Sequence, residues 1–260
     1  MKSGICALCS SHTELLKSHL VPQWVYSRIL EVESSGEKNP VHVSDGRACY
    51  SSWQTVRHLL CKECEYRFSI REEYVARITR LKDGVPSINA MATLLPSQRN
   101  KPVLAVLSST VEIEQLAYFA ISIIWRSHAM HRSDGFGPYE PAFRNYLLGH
   151  SSAPNEAVLL VTLYAPSTLG IGVSGWMSEP ASVKADGYWI HGFMVAGLAF
   201  KLLVGKKIDP QLRMASVLTQ PPSRFVSMMS PEDCRDFMAA AEIAVAATPK
   251  GKLAGQYNAG

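Results

Sequence analysis

Two Cys-x-x-Cys pairs, Cys6 with Cys9 and Cys61 with Cys64, constrain this chain more than any other feature of its sequence. The opening residues, MKSGICALC, hold no apolar run of signal-peptide length, so the expectation is a reducing compartment in which paired thiols bind metal or do redox work. Zinc favours four thiolates in a tetrahedron, and two short turns can each supply two of them from separate parts of the chain. One structural zinc held by Cys6, Cys9, Cys61 and Cys64 is the expectation. Two unrelated thiol turns are the plainer alternative, and a redox role lacks the βαβ setting such motifs use. His12 is a minor alternative ligand. The long separation between the pairs, residues 10–60, has to be filled by something folded or looped.

The order of the parts adds to this. The first pair is followed by SHLVP (Ser18 to Pro22), and then by LLCKECE (Leu59 to Glu65) leading into a helical pattern. In that order the chain resembles the zinc-stabilised branch of the HNH, or His-Me finger, endonucleases, over roughly residues 5–75. The resemblance implies a treble-clef or ββα-metal module, with His19 on a hairpin and the second cysteine pair opening a helix. It implies a nuclease that hydrolyses phosphodiester bonds in nucleic acid, with DNA as the substrate, in settings such as phage defence or mobile elements. His19 then matches the general base that takes a proton from the attacking water, a task suited to imidazole because its ordinary pKa lies near neutrality. Mg²⁺ or Mn²⁺ would be the catalytic ion. Ser18 stands where the family commonly carries an aspartate or histidine for that ion, Glu65 where it carries histidine or asparagine, and Val56 at the place of a middle asparagine.

The residues themselves suggest how such an ion could be held. If residues 64–82 form a helix, Glu65 and Glu72 share one face, with Glu73 adjacent. His19, Glu65 and Glu72 are therefore the catalytic candidates. The competing reading makes Glu65 a favourable charge near a helix start and leaves Glu72 and Glu73 solvated among Arg67, Arg71 and Arg77, with His19 ordering the knuckle by hydrogen bonding. Arg57, His58 and Arg67 are candidates for nucleic-acid contact, joined by His42 and Arg47, with Trp53 able to stack. The formal net charge of +4 is compatible with an anionic partner, although no dense basic stripe announces one.

With 260 residues and 47% hydrophobic content, the chain can build one large domain or a small module joined to a larger one. The texture favours an α+β fold in two parts. Residues 1–86 form the zinc module, with a short helix at 23–32 and a hairpin over 41–53 turning at Asp45 and Gly46. Residues 87–102 connect it to residues 87–260, an α+β unit of no recognised family with an antiparallel or mixed sheet. That unit should hold a long buried helix over 108–132 with Ser109 and Glu112 at capping-box spacing. Arg126, His128, His131 and Arg132 lie near its end, where positive charge suits the dipole. Strands are expected at 102–109, 156–166, 187–197 and 198–206, with His191 as a core histidine. The glycine-containing stretch 167–175 matches no nucleotide-binding fingerprint. A last helix runs from an N-cap at Ser230 to Ala247, followed by a flexible tail after about residue 249. The longest apolar run, Leu116 to Trp125, is short of the roughly 20 residues of a membrane span, so a soluble, cytoplasmic protein without a membrane partner is expected. The second unit offers a surface for a protein partner or another copy of the chain. The alternative to a nuclease is a non-catalytic zinc module that binds nucleic acid or a protein within a complex.

Overall fold

The structure, a computed structural model, describes residues 2–32, 37–95, 103–133, 135–170, 172–185, 187–219 and 222–257. Strand β1 (Lys2–Ile5) pairs antiparallel with β2 (His12–His19), and the first cysteine pair sits in the turn between them. That turn is tight: the Ser10 N–H donates to the Cys6 carbonyl, the Cys6 N–H to the Ser11 carbonyl, and Ser10 takes a left-handed φ of 62°. Helix α1 (Gln23–Val32) follows Pro22. The expected hairpin is β3 (Val41–Ser44) and β4 (Arg47–Tyr50). Asp45 and Gly46 both have positive φ, 51° and 69°, as a two-residue turn matched to strand twist demands. Strand β5 (Val56–Leu60) then returns to β2, giving a three-stranded sheet in the order β1-β2-β5, and delivers the chain into α2 (Lys62–Ile78).

Beyond α2, the small ribbon of β6 (Leu81–Lys82) and β7 (Val85–Pro86) leads through a 3₁₀ turn, Ser87–Met91, to β8 (Ala92–Leu94). The stretch read as a connection is thus built into the fold at its start: Ile88 is fully buried and β8 edges the large sheet, while residues 96–102 lie outside the described residues. The chain continues through β9 (Val103–Leu107), α3 (Ile113–His131), α4 (Glu140–Leu148) and β10 (Ala157–Tyr164). A meander of β11 (Ala181–Ala185), β12 (Tyr188–Val195) and β13 (Leu198–Val204) follows, then α5 (Pro210–Met214) and β14 (Phe225–Met229). These strands form a mixed seven-stranded sheet, β11-β12-β13-β10-β14-β9-β8, parallel only between β10 and β14. The α+β class is as the sequence suggested.

Helix α3 is the centre of the molecule. It is buried around nearly its whole circumference because it is packed on two sides. Towards α2, Phe68 meets Tyr118 and Trp125 edge-on, and towards the sheet Phe119 packs on Phe200. One apolar core therefore runs from Cys6 and Leu8 through α3 to Val226, without a break at residue 86. Helix α3 begins at Ile113 rather than at the expected capping box. The Glu112 N–H donates instead to the Tyr74 hydroxyl of α2, 2.6 Å away, so a tertiary partner sets the start.

The end of the chain also differs from expectation. Ser230 opens a 3₁₀ turn, Pro231–Asp233, and α6 (Arg235–Ala246) starts after Cys234. The tail read as flexible is ordered to Tyr257: β15 (Thr248–Pro249) pairs parallel with β4, and α7 (Lys252–Tyr257) places Leu253 on Ala48 and Ala247. Among the described residues, no helix is long and apolar enough to cross a membrane.

Candidate metal centre and hairpin site

The four cysteines converge. The Sγ atoms of Cys6, Cys9, Cys61 and Cys64 all lie within 4.8 Å of one another, so the group could hold a metal ion. Local structure explains the convergence: the turn after β1 presents Cys6 and Cys9, while Cys61 sits extended at the N-cap of α2 and Cys64 falls in its first turn. The Cys61 N–H donates to Cys6 Sγ at 3.3 Å. Cys9 and Cys61 Sγ stand 3.8 Å apart, beyond the ~2.05 Å of a disulfide, and all six cysteines are free. The protons are unevenly shared. A hydrogen bond from Cys64 draws Cys6 down to about 4, burial pushes Cys61 up to about 11, and the bond to Cys6 together with burial pushes Cys64 up. Four crowded sulfurs of this kind are the soft donor set that a tetrahedral ion such as zinc replaces protons to occupy. Arg144 of α4 braces the turn, donating to Ser10 Oγ at 3.1 Å while its guanidinium pairs with Glu140 at 2.9 Å.

His19 ends β2 and is half-buried. Burial, then the charge of Arg126, lowers its pKa, with Glu72 opposing, so the imidazole is neutral at pH 7. The hydroxyl of buried Ser18 donates to the Glu65 carboxylate, and burial raises the pKa of Glu65 against that bond. Glu72 is neither solvated nor free. It accepts from Nη2 of Arg126 at 2.5 Å, while Nη1 of the same guanidinium donates to the His19 carbonyl at 2.8 Å. Arg126 is 1% exposed, and its cation lies over the Phe68 ring at 5.3 Å. The sequence placed Arg126 near a helix end, where its charge suits the dipole; α3 instead delivers it across the interface into the space between hairpin and helix. Among the described residues, the four cysteines are the one group of three or more His, Cys, Asp or Glu donors gathered closely enough for an ion, and His19, Glu65 and Glu72 are not gathered in that way.

The nucleic-acid candidates separate. Arg57 and His58 line one cavity of about 410 Å³, together with Lys2 and Arg132. Arg67 is elsewhere, with its Nη1 close to Gly149 at the end of α4. Trp53 is exposed and its ring lies 5.6 Å from that of His42 on β3. His191 is a core residue, as expected, but with an unexpected partner: its Nδ1 lies 3.2 Å from Nε2 of His128 and 2.8 Å from Ser182 Oγ. Comparisons with protein-family models, with curated proteins and with solved structures find no match for this chain.

Proposed function

We propose that this chain is a zinc-organised nucleic-acid-binding protein, in which an HNH-like hairpin and helix act as a scaffold without hydrolysing the bound strand. The observation that carries this reading is the Arg126 guanidinium seated between the Glu72 carboxylate and the His19 carbonyl. A hydrolytic divalent ion needs carboxylate oxygens that are free to ligate. Here one carboxylate is tied up in a buried ion pair whose disruption costs about 3–5 kcal/mol, and the other is engaged by Ser18, a neutral group where a charged ligand would serve better. Zinc on Cys6, Cys9, Cys61 and Cys64 fixes the register of β1, β2 and α2, and basic groups beside that frame supply attraction for phosphate.

The test is a panel of plasmid, linear duplex, single-stranded DNA and RNA, followed for both binding and cleavage with Mg²⁺ or Mn²⁺. Binding that weakens with salt, without cleavage in either ion, is the expected result. Absence of binding to every member of the panel would overturn the reading.

A second reading, HNH-type phosphodiester hydrolysis, is favoured by His19 itself, which is half-exposed and neutral at pH 7, as a general base must be. Metal-dependent cleavage by the wild type that disappears in His19→Ala at equal zinc content would establish it in place of the first.

A further inference from the structure

We infer that the phosphodiester backbone of a nucleic-acid strand lies in the basic cavity of Lys2, Arg57, His58 and Arg132 and passes over Arg132 towards the cysteine turn. This rests on the nucleic-acid-binding reading and names where the strand is held. The cavity, about 410 Å³, is assembled from three separate segments: the first residue of β1, the middle of β5 and the residue that ends α3. Its remaining lining is Leu59, Ala129 and Met130, and among the described residues no acidic side chain lines it.

What sets this cluster apart is that its cations come from three segments to line a single cavity. Five basic groups are matched by a carboxylate within the molecule: Arg28 with Glu31, Arg126 with Glu72, Arg144 with Glu140, Lys201 with Asp236, Lys252 with Glu37. Lys2, Arg57 and Arg132 form no ion pair with any described residue, although all three are exposed. Cations gathered around one concavity repel each other, and an anionic ligand relieves that repulsion.

The geometry of the cluster is held in place. His58 Nδ1 lies 3.0 Å from the Leu15 carbonyl, which can only accept, so Nδ1 carries the proton and the ring is fixed with Nε2 turned away from that bond. Arg132 occupies the left-handed cap of α3, φ 53° and ψ 44°, where its N–H bonds the His128 carbonyl. Glycine would hold this position without the steric cost an arginine incurs. The carboxyl end of α3 contributes about half a negative charge, which the three cations outweigh.

A strand, rather than an isolated phosphate, suits the neighbouring surface. A second cavity of about 520 Å³ shares Ala129 and Arg132 with the first and continues past Ser133 and the Arg144–Glu140 ion pair to Ser10 of the cysteine turn. Arg132 stands at the junction, so a strand held in the first cavity can leave it past Arg132 and along the hydrogen-bonding groups of Ser133 and Ser10.

The experiment measures fluorescence anisotropy of labelled single-stranded and duplex DNA and RNA oligonucleotides across a range of salt, using the full-length zinc-loaded protein. Wild type is compared with Lys2→Ala/Arg57→Gln/Arg132→Gly. The expected result is a loss of affinity of about tenfold or more, with the slope of log K against log salt shallower by about 2–3, since each lost phosphate contact removes about 0.7–0.9. Arg132→Gly alone, which keeps the left-handed cap, should lower the slope by about 1, and Arg57→Lys should restore a wild-type slope at that position. Zinc content and thermal midpoint serve as folding controls. A triple variant that binds with wild-type affinity and slope overturns this placement while leaving the nucleic-acid reading intact. Wild type that binds none of the oligonucleotides overturns both.

Discussion

Arg126 is the residue on which the hairpin site turns. Its guanidinium is desolvated, pairs with Glu72, caps the His19 carbonyl and lies over Phe68, so removing either charge strands the other in a dry place. Glu72→Gln and Arg126→Met should each lower stability by about 3–5 kcal/mol in urea unfolding, and the double variant Glu72→Gln/Arg126→Met should cost clearly less than the sum of the two. Additive losses would show that the pair is not coupled. The buried histidines give a second prediction. Burial, then the neighbouring His128, drives His191 from 6.5 down to about 3, and burial also lowers His128. Both rings are neutral when folded and take up protons on unfolding. Their contribution is therefore complete above about pH 6.5 and is lost as pH falls from there towards 3. The thermal midpoint should drop across that window, and His191→Gln should flatten the drop. An equally steep fall in the variant would assign the acid sensitivity to other groups.

At the level of elements, several boundaries are set from outside the element. Helix α3 starts where Tyr74 of α2 offers its hydroxyl to the Glu112 N–H, so Tyr74→Phe should cost about 1 kcal/mol with the core otherwise kept, readable as a shift in urea midpoint at unchanged m-value. The hairpin of β3 and β4 depends on the far end of the chain, since β15 adds a third strand to it and Leu253 covers Ala48. Isolated two-stranded hairpins are marginal in water. Ending the chain after Ala247 should therefore expose residues 41–50 to proteolysis while the zinc stoichiometry stays the same. Protection equal to that of the full chain would show that the hairpin stands alone.

Across the whole molecule, the metal centre and the large sheet share a core through α2 and α3. An ion held by the four cysteines would tie Cys61 at the start of α2 to the turn that Arg144 braces, so its removal would release both and the disturbance would reach α3, on which the seven-stranded sheet packs. Chelation or Cys61→Ala should consequently lower the unfolding midpoint of the entire chain as one transition, followed by tryptophan fluorescence and circular dichroism together. Two separated transitions, with the sheet unaffected, would show that the module folds independently of its neighbour.

Much of this was legible in the residues. The cysteine spacing announced a group that could hold an ion, the Asp45-Gly46 turn its hairpin, and the apolar circumference within residues 108–132 a buried helix, because metal ligation, tight turns and burial each impose local residue types. Arg126 carries no such local mark. On the sequence it is one more cation near a helix end, and its pairing with Glu72 exists only because α3 crosses α2 at that point. Arg57 and His58 stand out in the linear chain as candidates for nucleic-acid contact, but Lys2 does not and Arg132 reads with the helix end, and it is the tertiary structure that draws them from three segments around one cavity. The sequence by itself determined which cysteines come together, the turns and the α+β class, all of which depend on short-range chemistry. Only the tertiary structure decided which charges neutralise one another and which are left facing solvent, because Coulombic pairing depends on distance through space and not along the chain.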